Sequence, residues 1–364
     1  MIKPAALYPF ASEHLPFVKY FSRLQNKYTI SSVISPRGLG LSGKDAGHSR
    51  NHHDIGITVQ DNLSLDDSWD TLYVAEGIGT AYIPNVEKSM IDMAKQALLA
   101  DKTIRYFPKH MGAIPSEYKE LAEIYPGKVS WPIDHHIHEV DSDSRLHGEI
   151  DTPVILVGGL QANADTLEVL CSLAVRLRMD GLKPLVLTRN TIYELFGFHS
   201  YAHIFDDTTL LEAEKVTNLK VFAKNLELKE VPDIILVEAP GTVTRVSSLV
   251  PGDYGIQTYM LCQTMPPDYF IYCTHFGAQV GKSVDRFSET FLHTFGIPIT
   301  AVHVSNMFID DTDIHQKRII GYTHVPLTTV SKQIEGFTSH TKIPIYNIVD
   351  DGIDELYQLL RDDA

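Results

Sequence analysis

The stretch Val154-Ile155-Leu156-Val157-Gly158-Gly159-Leu160-Gln161-Ala162-Asn163-Ala164-Asp165-Thr166 decides the fold. Its four aliphatic residues form a short, unbroken apolar run, the pattern of a strand buried on both faces. Small residues follow. Then 166–178 carries Leu167, Leu170, Leu173, Ala174 and Leu177 on one helical face, with Gly181 placed to end the helix. A buried strand, a small-residue loop and a helix, in that order, begin a parallel sheet covered by helices. Laid on the phosphate-loop pattern G-x-x-x-x-G-K-[ST], Gly159 takes the first glycine and Thr166 the hydroxyl. Ala164 replaces the second glycine and Asp165 replaces the lysine. The lysine neutralises the β- and γ-phosphates, and an aspartate there repels them. The loop's architecture is expected without unaided NTP hydrolysis.

The same alternation extends in both directions. Before this stretch, strands are expected at 5–8, 28–35, 55–59, 71–76 and 103–107, with helices at 13–25, 86–100 and 116–124. After it, strands are expected at 185–187, 234–238, 269–274 and 299–304, with helices at 210–228, 284–294 and 351–360. Between the halves, 128–152 is polar and histidine-rich and contains Pro132, the character of an inter-domain linker. The expected fold is α/β: two Rossmann-like three-layer domains, 1–127 and 153–364. The second is P-loop-NTPase-like with a degenerate phosphate loop.

Composition narrows the function classes. Hydrophobic residues make up 44% of the 364 and charged residues 21%, which is globular rather than disordered. No run of about 18 apolar residues occurs, so no membrane span is expected. A formal charge of −15 argues against a nucleic-acid partner, because phosphate contacts need a basic face. Cys171, Cys262 and Cys273 have no metal-ligand spacing and read as reduced thiols. The N-terminus reaches Pro9 and Glu13 too soon for a signal peptide, so a cytoplasmic location is expected.

Three further features carry candidate chemistry. Gly38, Gly40 and Gly43, followed by Lys44 and Asp45, match G-x-G-x-x-G and most of the phosphate-loop pattern. Both mechanisms need a helix straight after the glycines, and 46–53 is too short for a crossover helix. A glycine-rich turn is the plainer reading, made locally basic by Arg37, Lys44 and Arg50. Next, Ile234-Ile235-Leu236-Val237-Glu238 reads as a strand neighbouring 154–157. Glu238 then either holds Mg2+ through water or is a solvated carboxylate at a strand end. Finally, His136 and His138 share one face of an extended segment and form a chelating pair or a solvated linker. His199, after a strand, faces a crevice or solvent.

Three stretches together (35–47, 153–173 and 193–200) resemble the clostridial peptide-maturation-system proteins encoded beside radical SAM maturases of Cys-rich, bacteriocin-like peptides. That resemblance implies a part in making a ribosomally synthesised, post-translationally modified peptide, and it implies no catalytic residues. The second domain is similar to the P-loop branch that includes dethiobiotin synthetase, from which it departs at Ala164 and Asp165. The leading expectation is an accessory protein that binds precursor peptide, maturase or both. The alternative is a peptide-modifying enzyme using a nucleotide with Mg2+, or a metal, in an inter-domain crevice. Its site would be Lys44, Asn163, Thr166 and Glu238, with Lys44 supplying the missing lysine and His199 as a further catalytic candidate. A small-molecule sensor or transferase, and association into a homo-oligomer, stay open.

Overall fold

The computed structural model describes residues 3–64, 68–77, 83–109, 114–132, 148–160, 164–250, 252–277, 280–338, 340–349 and 352–362. The chain divides into two compact units. One is Met1–His136 with Asn190–Asp207; the other is Ile137–Arg189 with Thr208–Ala364. Both are α/β and built on parallel-dominated sheets.

The first unit opens with β1 (Lys3–Tyr8), α1 (Leu15–Leu24), β2 (Tyr28–Ile34), β3 (Val59–Gln60) and β4 (Thr71–Ala75). It continues with α2 (Val86–Leu99), β5 (Thr103–Phe107), α3 (Ser116–Ile124) and β6 (Val129–Ser130). The chain then forms β7 (Val154–Gly159), α4 (Thr166–Met179) and β8 (Pro184–Thr188) of the second unit. It returns to the first for β9 (His199–Ser200) and α5 (Ala202–Asp206). The second unit is completed by α6 (Glu212–Glu230), β10 (Ile234–Thr242), α7 (Ile256–Thr264), β11 (Tyr269–Phe276) and α8 (Val280–Phe295). Last come β12 (Ala301–Asp310), α9 (Asp311–Lys317), β13 (Gly321–His324), α10 (Leu327–Phe337), β14 (Ile345–Tyr346) and α11 (Ile353–Asp362).

In the first unit the strand order is β3-β2-β1-β4-β5-β6, every pairing parallel. This is the doubly wound order with its switch point between β1 and β4. Helix α1 buries Leu15, Phe17, Val18, Phe21 and Leu24 along one face. Its Phe17 stacks on Phe196 at 5.1 Å between ring centroids and meets Tyr193 edge-on at 5.8 Å. Burying rings of this size contributes about 2–3 kcal/mol each. These contacts tie 190–207 to the first unit, although the sequence reading places it within 153–364.

In the second unit the order runs β13-β12-β11-β7-β10-β8, with β14 beside β12. Among these described strands only β13 is antiparallel. Strand β7 lies between β10 and β11, and Val154, Ile155, Leu156 and Val157 are all buried, as an unbroken apolar run requires.

Other boundaries differ from the sequence reading for local reasons. The strand expected at 55–59 is reduced to β3, because the N–H groups of Ile55, Gly56 and Ile57 bond the Asp45 carboxylate instead of a ladder. The expected linker begins inside the first sheet, where Val129 pairs with Ile104. Its far end is held by Glu227, which accepts from the N–H groups of Asp151 and Thr152 at 2.9 and 2.7 Å. His136 and His138 lie outside the described residues.

Candidate active site at the carboxyl edge of the second sheet

Helix α4 starts at the carboxyl end of β7, and its first turn is the focus of the site. Asp165 is the N-cap residue, in the left-handed region at φ 60°. A short polar residue tolerates that conformation better than most. Its side chain turns inward, 1% exposed, and accepts from Nε2 of His303 on β12 at 3.3 Å. Nδ1 of the same ring accepts from the Ile348 N–H at 3.2 Å, which leaves Nε2 to donate. The residue in the lysine position therefore forms an interior anchor between α4 and β12.

Thr166 is the first residue of the helix, and its hydroxyl donates to Glu238 Oε1 at 3.4 Å. Glu238 Oε2 accepts from the Thr188 hydroxyl at the end of β8 and from the Arg189 N–H at 3.2 Å. Burial pushes this carboxyl above the usual range, partly offset by the Thr188 hydroxyl, the Arg189 N–H and guanidinium, and Thr166. The solvated strand-end alternative for Glu238 is overturned: the group is buried, and β10 runs on through Pro240 and Gly241 to Thr242. Thr242 sits opposite Gly159, after a shift of register beyond Glu238. Arg189 is held in place by the Pro240 carbonyl and Gln257 Oε1, both at 2.9 Å.

Strand β11 adds Cys273 and His275 on one face of the sheet, two residues apart. Burial, with the negative charges of Asp165 and Glu238, pushes the Cys273 thiol well up, so it is a protonated core group. His275 is 5% exposed, and among the described residues neither ring nitrogen has a hydrogen-bond partner. Burial lowers its pKa to about 4 against the opposing pull of the Asp165 carboxylate, so the ring is neutral at pH 7. A buried, neutral imidazole with both nitrogens unused is equipped to accept from or donate to a bound molecule. Among the described residues no group of three or more His, Cys, Asp or Glu side chains has metal-binding geometry.

The remaining candidates are distributed between the units. Gly159, Thr166 and Glu238 share the second unit's edge, whereas Asn163 lies outside the described residues. Gly38, Gly40, Gly43 and Lys44 belong to the first unit, in the loop after β2. In a 3-2-1-4-5-6 sheet the dinucleotide fingerprint follows the first strand, so these glycines are one strand out of place. All three have positive φ and open space where a Cβ would stand, which fits a turn. Asp45 caps the 3-10 turn Ala46–Arg50 and accepts four backbone N–H groups, from Gly47, Ile55, Gly56 and Ile57. Arg50 adds nothing to a basic surface: it is buried, and its Nε donates to the Ser12 carbonyl at 2.7 Å. His199, half-buried on β9, also belongs to the first unit.

The first sheet's switch point carries groups that the sequence motifs did not flag. Glu76, just past β4, accepts from the Tyr106 hydroxyl at 2.5 Å and the Lys109 N–H at 3.0 Å. His14, buried in the chain's path from β1, has its ring 3.1 Å from where a Cβ on Gly77 would stand, and burial lowers its pKa. A Cβ on Gly77 would stand 1.8 Å from Glu13 Oε1, so only glycine lets that carboxylate approach the backbone. None of these lies in a glycine-rich motif. Only the topology, by naming the switch point, picks them out.

These arrangements define a two-unit α/β protein with an acid, a hydroxyl and a neutral imidazole at the edge of its second sheet. In fold it is similar to a DUF1611 family protein from Anabaena variabilis, with a TM-score of 0.66, 12% identity and 99% of each chain covered. That likeness establishes the fold. A DEAD box protein from Methanococcus jannaschii is matched at a TM-score of 0.23 and 13% identity, over 95% of this chain and 80% of its own, and carries no argument. No family model matches the chain, and no curated protein matches it. Among the described residues no helix is long and apolar enough to cross a membrane.

Proposed function

We propose that this chain is an accessory protein in the maturation of a ribosomally synthesised, post-translationally modified peptide, binding the precursor, its radical SAM maturase, or both. The observation that carries the reading is Asp165. Its carboxylate stands where the phosphate-loop pattern has its lysine and is locked to His303 at 3.3 Å, so the start of the helix lacks the charge that hydrolysis needs. The pathway itself rests on the resemblance of 35–47, 153–173 and 193–200. Calorimetry of the full chain with the neighbouring precursor peptide, and with the maturase, tests it. Micromolar binding to either partner is expected, and no heat with either partner at tens of micromolar sinks the reading.

A second reading, an enzyme dependent on a nucleotide with Mg2+, is favoured by one specific pair. A hydroxyl at the helix start and an acid on the adjacent strand, as in Thr166 and Glu238, is a donor set that fits a hydrated Mg2+. Bound there, the ion would draw charge from phosphate oxygens, while Thr166 and Glu238 held it and Thr188 kept the carboxylate oriented. Thermal shift with ATP and GTP, with and without Mg2+, decides it, since at about 100 Kd a ligand adds about 2.7 kcal/mol. A Mg2+-dependent shift abolished in Thr166→Val would support the enzyme, and no shift with either nucleotide would remove it.

A further inference from the structure

A groove of about 420 Å3 opens on the second unit between the loop after β10 and the outer face of α8. The loop leaves β10 at Val243, whose N–H bonds the Gly159 carbonyl at 3.0 Å, so it begins beside the end of β7. Two guanidiniums, Arg245 from the loop and Arg286 from α8, line the groove with the hydroxyls of Ser247, Ser248 and Thr290 and the ring of Phe287. In a chain of net charge −15, no acidic side chain among the described residues lines it. Among the described residues neither guanidinium has a carboxylate partner.

The walls are set by local structure. Arg286 and Thr290 are one helical turn apart and face the same way. Phe287 is fixed by stacking on Phe291 at 6.0 Å and by Tyr272 at 5.9 Å, within a row of aromatic rings over the sheet. Ser247 Oγ accepts from the N–H groups of Leu249 and Val250, both at 3.1 Å. Its lone pairs are thereby engaged and its own proton is left to donate. The Thr290 hydroxyl donates to the Arg286 carbonyl at 2.9 Å, so the groove offers two five-donor cations, the serine hydroxyls as donors and one aromatic face, with no carboxylate among its described lining residues to repel an anion.

We propose that this groove is a binding site for a phosphorylated small molecule, with Arg245 and Arg286 clamping the phosphate and Phe287 taking a planar ring attached to it. Guanidiniums match phosphate bidentately, and a stacked phenyl ring selects for a base-like partner. The site is separate from the Thr166–Glu238 pair and needs no metal ion.

The test is calorimetric titration of the full chain in EDTA with inorganic phosphate, AMP and a short Glu-rich peptide. Four proteins are compared: wild type, Arg245→Gln/Arg286→Gln, Phe287→Leu and Thr166→Val. Both arginines are exposed, so the double variant is expected to fold, which circular dichroism checks. AMP and phosphate should bind wild type, and the double variant should weaken both at least about tenfold. Phe287→Leu should weaken AMP more than phosphate, and Thr166→Val should leave both unchanged. The proposal is overturned if wild type binds neither, if the peptide alone binds, or if affinity is lost in Thr166→Val but kept in the double variant. The last outcome would point instead to the helix start and favour the enzyme reading.

Discussion

Asp165 and His303 form a fully buried pair across the start of α4, the ring at 0% and the carboxylate group at 1% exposure. The pair joins the helix that follows β7 to the strand two places along the sheet. Removing one member leaves the other without its partner in the interior, at a cost of about 1–3 kcal/mol. Asp165→Ala also places a residue with less tolerance at φ 60°, adding about 1 kcal/mol. Urea unfolding should therefore show a loss on the order of 2–4 kcal/mol for Asp165→Ala, whereas Asp165→Asn, which keeps an acceptor and the backbone preference, should lose less than half as much. Equal losses would mean that the pair does not anchor the helix.

Acid stability should depend on His275. Its pKa falls from 6.5 to about 4 on folding because the ring is buried. A base with a depressed folded pKa contributes stability above pH 6.5 and loses it as pH falls toward 4. The span corresponds to roughly 3 kcal/mol. His275→Phe should flatten this part of the pH–stability curve between pH 7 and 4. An unchanged slope would place His275 in a wetter environment than the structure gives it.

Glu194 should act with the opposite sense. Burial, partly offset by Arg105, raises its carboxyl from 4.5 to about 7. An acid with a raised folded pKa contributes stability below about pH 4.5 and loses it as pH rises through 7. Glu194→Gln should therefore gain on wild type between pH 5 and 8, by at most about 3 kcal/mol. Carbon-detected NMR titration of the Glu194 carboxyl gives the second readout, with a midpoint near the ordinary carboxylate value counting against burial.

Asp45 should organise the loop that the glycine motif made prominent. Burial pushes its carboxyl up, yet four backbone N–H donors outweigh that and hold it below the usual range. Its contribution is therefore present above the ordinary aspartate value and is lost as pH falls through the depressed one. Asp45→Ala should cost on the order of 2–4 kcal/mol for four lost bonds at a partly exposed site. It should also speed amide exchange at Gly47, Ile55, Gly56 and Ile57 first. Unchanged exchange at those four amides would refute the role.

Much of the fold was legible because it is local. The run 154–157 is apolar at every position, so no other element fits it, and the helix after it announces itself by the spacing of Leu170, Leu173, Ala174 and Leu177. The strand carrying Glu238 was read correctly as a neighbour of β7. Its length was misread, because Pro240-Gly241 looks like a turn, whereas the strand passes through them with a change of register. The loop at 38–45 drew attention because glycine patterns repeat in sequence. The property that disqualifies it as a dinucleotide fingerprint, its place after the second strand rather than the first, is topological.

By itself, then, the sequence determined two parallel-dominated α/β sheets, the strand that ends at Gly159, the helix that starts at Thr166, and an aspartate where the phosphate-loop pattern has its lysine. Each of these follows from residues close together in the chain, where periodicity and side-chain chemistry act directly. Tertiary structure alone decided that Asp165 faces His303, 138 residues away, and that Glu238 is buried between Thr166 and Thr188. It alone brought Arg245 and Arg286 to one groove. Such meetings depend on the order of strands across a sheet, and strand order is set by how whole layers bury their apolar faces, which no single stretch of sequence encodes.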